Sequence, residues 1–156
     1  MQRPIEHLLT EIPFFDGLDE ASLAFVAGCA GNVHFEAGAL LFREGDEANS
    51  FFVVRHGTVA VETFVPGRGS VTIETVGPGE VLGWSWLFQP YRWHFDARAL
   101  TPVRATAFDG TCLRTKSAED PRLGYELMGR FADVLIERLQ WTRLRLLDVY
   151  GNGRAS

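Results

Sequence analysis

The stretch Phe51-Phe52-Val53-Val54-Arg55-His56-Gly57-Thr58-Val59-Ala60-Val61 decides the fold. It holds two short runs of strand-forming residues, Phe51–Arg55 and Thr58–Val65, with Gly57 between them. In the second run Val59 and Val61 alternate with Ala60 and Glu62, the period of two expected of a half-buried strand. A glycine at the join supplies the positive φ of a tight turn without a Cβ penalty.

The same pattern extends in both directions. Val33–Phe35 and Leu40–Arg43 precede it, and Ser70–Thr75, Val81–Leu87, Trp93–Leu100 and Val103–Phe108 follow. Glycines at 38, 45, 67, 69, 77, 79 and 83 punctuate the series. Short strands at regular spacing with turn signals predict an all-β roll over about 32–108. Helical patterns flank it. Ile5, Leu8, Leu9 and Ile12 recur at helical spacing, and Pro13–Leu18 breaks the pattern with aromatic anchors. Asp19 is placed to cap a second helix carrying Leu23, Phe25 and Val26, by accepting a bond from the free N–H groups of the next turn.

Beyond the roll, a short helix is predicted around Asp109–Thr115 and a long one over about Pro121–Tyr150, started by Asp120 as cap and Pro121 in the first turn. Met128, Phe131, Leu135, Leu139, Thr142, Leu146 and Tyr150 follow a three-four repeat, with Leu127, Val134 and Trp141 as an adjacent stripe. This apolar face is too wide for a simple surface helix. One side can pack on the roll while Phe131, Leu135, Leu139, Thr142 and Leu146 meet a second copy in a homodimer; a single wide core contact is the alternative. Glu137, Arg138, Arg143 and Arg145 read most simply as a solvated face. The predicted architecture is therefore mainly β: a double-stranded β-helix (jelly-roll) barrel with N-terminal helices and a long C-terminal dimerisation helix, one domain over 1–156 divided as 1–31, 32–108 and 109–150.

The length of 156 residues suits one compact domain, and an apolar share of 46% with 22% charged residues is that of a globular protein. A net charge of −5 argues against a dominant nucleic-acid surface. No apolar stretch approaches the roughly 20 residues a membrane helix needs, and the first residues lack the apolar core of a signal peptide, so a cytoplasmic protein with no membrane partner is expected. Cys29 and Cys112 lie far apart with no CxxC pattern, and are read as small buried hydrophobes rather than as a disulfide or metal ligands.

The order of elements resembles the cyclic-nucleotide-binding domain of the catabolite activator protein family. The residues that carry the resemblance are Phe35-Glu36-Ala37-Gly38 at the turn opening the roll, Phe42-Arg43-Glu44-Gly45-Asp46 at the next turn, the stretch 51–61 as the central hairpin, and Gly79-Glu80-Val81-Leu82-Gly83 where the phosphate-binding cassette begins. The resemblance implies a small-molecule sensor in which cassette N–H groups and an arginine hold a cyclic phosphate, and a glutamate after the cassette glycine holds the ribose. Here Trp84 follows Gly83, the arginine step reads Trp93-His94-Phe95, and Arg92 lies one place early. Gly83, Trp84, Ser85, Trp86, Arg92, Trp93 and His94 are the candidate pocket residues. An indole in place of the carboxylate, with no arginine on the phosphate, predicts weak or no ordinary binding of cAMP or cGMP. Walls made of Trp84, Trp86 and Trp93 suit an aromatic or apolar compound instead, or simply fill the pocket.

Family transcription factors continue into a helix-turn-helix after the long helix. Leu147–Gly151 resembles the hinge before it and the sequence ends at Ser156, so direct DNA binding is not expected of these residues. His7, His34, His56 and His94 form no HxH or HExxH pattern, and no GxSxG or P-loop run is present. His94 is read as a hydrogen-bonded wall residue. No metal site, no catalytic residue and no particular cofactor is indicated. A non-catalytic regulatory domain is the expectation, with a ligandless dimeric interaction module, a cyclic-nucleotide receptor with a non-standard pocket and a cupin-like enzyme as rivals.

Overall fold

The computed structural model describes residues 8–154; within the last helix the side chains of 145, 146 and 148–154 lie outside that description. Eight strands run through the middle of the chain: β1 (Ala30–Phe35), β2 (Leu40–Phe42), β3 (Ser50–His56), β4 (Val59–Val65), β5 (Gly69–Val76), β6 (Val81–Leu82), β7 (Asp96–Ala99) and β8 (Val103–Asp109). They form two four-stranded antiparallel sheets, ordered β1-β8-β3-β6 and β2-β7-β4-β5. The predicted roll is therefore present as two facing sheets that are not closed by hydrogen bonds into one barrel.

The continuous apolar run Phe51–Val54 is explained by β3 being covered on both sides. Successive side chains of a strand point to opposite faces. Phe52 and Val54 join Val59, Val61, Val76, Leu82, Ala97 and Ala99 between the sheets. Phe51 and Val53 point outward into a second core with Phe15, Val26, Phe108, Leu113, Leu127 and Phe131, supplied by the helices. Those helices are α1 (Glu20–Ala27), α2 (Gly110–Glu119) and α3 (Pro121–Arg154), preceded by a 3-10 turn at Pro13–Phe15. At ~1.5 Å per residue the 34 residues of α3 span about 50 Å.

Both predicted caps form, and a third is found. The Asp120 carboxylate accepts the Leu123 N–H at 3.4 Å, as predicted, and the Asp109 carboxylate, not read as a cap from the sequence, accepts the Cys112 N–H at 3.1 Å. The Asp19 carboxylate accepts the Ser22 N–H at 2.7 Å. The Ser22 backbone bond, then the Ser22 hydroxyl, then the charge of Arg122, hold the Asp19 carboxyl below its ordinary 3.8, against a small opposing effect of burial. A carboxyl lowered in the folded state contributes stability above its unfolded value, and that contribution is lost as pH falls through the folded value. Asp19→Ala is expected to melt below the parent at neutral pH, with the gap narrowing in thermal scans taken down to about pH 3. A gap independent of pH would remove the carboxylate charge from the explanation.

Several expectations are corrected. Val81–Leu87 is not one strand: only Val81–Leu82 pairs with β3, after which Gly83 turns the chain at φ +98° into a 3-10 turn at Ser85–Leu87. Of Trp93–Leu100, only Asp96–Ala99 is strand. Cys29 and Cys112 are joined in a disulfide, their Cα atoms 5.8 Å apart across 83 residues of chain; spacing alone did not show that α2 returns to the start of β1. Phe131, proposed for a dimer seam, is 1% exposed within its own chain. Arg138, read as part of a solvated face, is mostly buried. Ile5, His7 and the side chains of Leu146 and Tyr150 lie outside the described residues.

Candidate functional site

The cassette begins where β3 and the Gly79–Glu80 turn exchange hydrogen bonds: Gly79 N–H donates to the Val54 carbonyl at 2.8 Å, and Val54 N–H to the Glu80 carbonyl at 3.1 Å. This fixes Gly83 at the end of β6, buried, in a backbone conformation that favours glycine. A Cβ there would lie 2.9 Å from the ring of Trp93. Trp93 itself is 6% exposed and stacks flat on Phe42, centroids 3.7 Å apart and planes 9° apart. The Trp93 indole is thus sandwiched between Gly83 and Phe42.

The other candidates divide around this stack. Trp84 is half-buried and meets Phe95 edge-on at 6.2 Å. Ser85 is 4% exposed, its hydroxyl 3.2 Å from Nδ1 of the exposed His94. Arg92 is exposed; its guanidinium donates to the Gly45 carbonyl at 3.4 Å, beside a backbone bridge between its own residue and Glu47. Trp86 points the other way, into the helix-side core, stacked on Phe51 at 5.3 Å and edge-on to Phe131 at 5.5 Å. Gly83, Trp84, Ser85, Trp93 and His94 therefore come together, whereas Trp86 does not line the same space and Arg92 makes its hydrogen bond at the Gly45 turn. The cavity left between the five and Phe42 is about 20 Å³, room for one water molecule.

One residue of this region was missed. Arg138, from α3, donates to the Val81 carbonyl, pairs with Glu74 at 3.5 Å and holds its guanidinium 5.3 Å over the Trp84 ring. Its side chain is 17% exposed, so these contacts are shielded from solvent far more than an ordinary surface pair. The signal was in the sequence: Arg138 lies one heptad after the core residue Phe131 and between Val134 and Trp141 at helical spacing, on the apolar side. Arg98, by contrast, is a strand residue paired with Glu62 at 3.0 Å across β7 and β4.

A second, wider groove of about 1340 Å³ runs between α3 and β5–β6, bordered by Glu74, Glu80, Met128, Arg138 and Trp141. Among the described residues no group of three or more His, Cys, Asp or Glu side chains is arranged to hold a metal ion, and no helix is long and apolar enough to cross a membrane.

This arrangement of roll, cassette and flanking helices has relatives. The chain is 25% identical over 145 residues to a CRP-like cAMP-activated global transcriptional regulator of Mycobacterium tuberculosis, a match over 93% of this chain that spans 63% of the regulator's length. A solved structure of a Geobacter metallireducens GS-15 protein described as cyclic nucleotide-binding superposes with a TM-score of 0.78 at 30% identity, covering 89% of this chain and 99% of that one. The N-terminal domain of a transcriptional regulator from Streptomyces coelicolor A3(2) superposes with a TM-score of 0.67 at 27% identity, covering 83% and 91% respectively. The family model for the cyclic nucleotide-binding domain matches residues 32–120, more than half of the sequence, and the chain belongs to that family.

Proposed function

We propose that this member of the family is a non-catalytic regulatory domain whose cassette does not take cAMP or cGMP in the ordinary way, and whose output is the position of α3. The observation that carries the reading is Trp93. Its ring occupies the cassette against Phe42 and Gly83, leaves about 20 Å³, and stands where a phosphate would need an arginine. A nucleotide would have to displace a buried indole and then bind without a charge-assisted partner for its phosphate.

Arg138 supports α3 as the output. It ties the long helix to the first residue of β6 and to Trp84, so a change in the cassette that moved Trp84 would act directly on the helix. An effector can shift such an equilibrium only by binding the two helix positions differently. An aromatic or apolar compound able to replace the Trp93–Phe42 stack fits this site better than a charged one. The outer face of α3, with Met128, Ile136 and Leu139 about half exposed or more, fits association with a second copy. The small cavity also favours a second reading, a ligandless scaffold for that association.

Titration calorimetry of the full chain with cAMP and with cGMP tests the proposal. No saturable heat is expected up to about 1 mM nucleotide, where the free energy of binding would be only about −4 kcal/mol. Saturable micromolar binding would overturn it and make the domain an ordinary second-messenger receptor. Under the same conditions Trp93→Ala, which opens the space against Phe42, is expected to bind indole or a similar planar compound that the parent excludes.

A further inference from the structure

The cysteine pair lies on the far side of α2 from the cassette, and α2 touches both. Cys29 follows α1 and leads into β1, and Cys112 lies in the first turn of α2. Cys29 is 7% exposed and Cys112 half-buried, so a reagent reaches the bond from the Cys112 side. The Cys29 carbonyl also accepts the Asp109 N–H at 2.8 Å, just before α2 begins. One turn further along, Lys116 donates to the Phe25 carbonyl at 2.8 Å and lies 5.0 Å over the Phe25 ring.

Two residues from Cys112, Arg114 reaches in the opposite direction. It donates to the Trp86 carbonyl in the Ser85–Leu87 turn and to Asn49 Oδ1 at 3.3 Å, and lies 4.2 Å over the Tyr91 ring. Gly110, at the start of the same helix, is packed so closely on Trp86 that an added Cβ would lie 2.9 Å from the Trp86 Cβ. The cassette turn therefore rests on α2, and α2 is fastened to α1 and β1 by the disulfide and by Lys116.

We propose that Cys29–Cys112 is a thiol–disulfide regulatory site whose state sets how firmly α2 holds the cassette turn. Reduction by two molecules of a low-molecular-weight thiol breaks the Cys29–Cys112 bond and forms one disulfide between the reductant molecules. Two electrons and the two thiol protons of the reductant pass to the cysteine pair, which becomes two thiols. A small disulfide reverses the reaction. Opening the bond frees a link that spans 83 residues and leaves α2 held on that side by the Lys116 clasp and the Asp109–Cys29 backbone bond. Arg114 carries the loosening to Trp86 and Tyr91. The site does not depend on whether the cassette binds any ligand.

The test uses the full chain in buffers of graded reduced-to-oxidised glutathione, with thiols trapped by alkylation and counted by mass, and hydrogen exchange measured on the fully oxidised and fully reduced forms. Alkylation is expected to pass reversibly between none and two per chain, and the amides of 84–92 to exchange about tenfold faster in the reduced form. Arg114→Gln is expected to keep the thiol titration and lose the difference in cassette exchange. Cys112→Ser is expected to exchange like the reduced parent at every ratio; the reduced parent supplies the same comparison should that variant fold poorly. Two reactive thiols persisting in oxidised glutathione alone would overturn the proposal. Equal cassette exchange in the two forms would overturn it as well.

Discussion

Gly57→Ala is expected to lower the free energy of unfolding by about 3 kcal/mol or more. Gly57 has φ +92°, and a Cβ built on it would lie 2.3 Å from the Pro102 carbonyl oxygen, 2.9 Å from Thr101 Oγ1 and 3.1 Å from Val103 Cα. Two of these atoms are backbone and cannot swing aside as the end of a long side chain would. The turn between β3 and β4 would have to withdraw from the turn between β7 and β8, breaking the bond from Thr58 N–H to Thr101 Oγ1 at 3.0 Å. For a chain of this size the melting temperature should fall by roughly 10 °C. Gly67→Ala is the control. Gly67 has φ +86° but nothing within 4 Å of its added Cβ, so only the backbone strain remains, about 1 kcal/mol. Equal losses in the two variants, compared by thermal and denaturant unfolding, would show that the approach of the two turns contributes nothing.

This glycine also shows what a sequence can reveal of such a fold. The turn at Gly57 was readable because a glycine between two β-patterned runs has few other uses. What made the position intolerant of a side chain, the packing of Pro102 against it, comes from 45 residues further along the chain and leaves no local mark. The roll, the two caps and the start of α3 were legible for the same reason as the turn: each depends on neighbours within a few residues. The errors came from long-range pairing. Val81–Leu87 has strand composition, yet Gly83 turns the chain after two paired residues because Trp93 packs over it. Cys29 and Cys112 have no spacing signal because helix return, not sequence distance, brings them together.

In the candidate site, residue types were readable and directions were not. The absence of a carboxylate after Gly83 and the indole at Trp93 follow from sequence, but whether an aromatic lines a cavity or fills it depends on the partner it stacks on, here Phe42 at 3.7 Å. Trp86 is two residues from Trp84 but lies on the opposite side of the Ser85–Leu87 turn, in the helix-side core. A strand would have kept both indoles on one face, and the tight turn does not. Arg138 was misjudged because charge was weighed before position. Its stem follows the apolar side of α3 and only its head finds polar partners.

The buried and exposed apolar residues of α3 can be separated by mutation. Phe131→Ala is expected to cost about 3–5 kcal/mol, because the ring is 1% exposed and meets Phe14 at 4.9 Å, Phe51 at 5.0 Å and Trp86 at 5.5 Å, leaving a cavity that rigid strands cannot close. The loss should appear in denaturant unfolding at any protein concentration, since the contacts are within one chain. Leu139, two turns further along the same helix, is 61% exposed, with Ile136 at 54% and Met128 at 45%. Leu139→Ala should change the stability of a single chain by no more than about 0.5 kcal/mol. If that outer stripe joins two copies, Leu139→Glu should weaken self-association at least about tenfold in sedimentation equilibrium, because a carboxylate would be buried without a partner. A Phe131→Ala variant as stable as the parent would place that ring outside the core and return it to the seam read from the heptad. A Leu139→Glu variant with unchanged mass distribution would instead leave the outer stripe without a second copy, and the signal from the cassette would have to leave α3 through another partner.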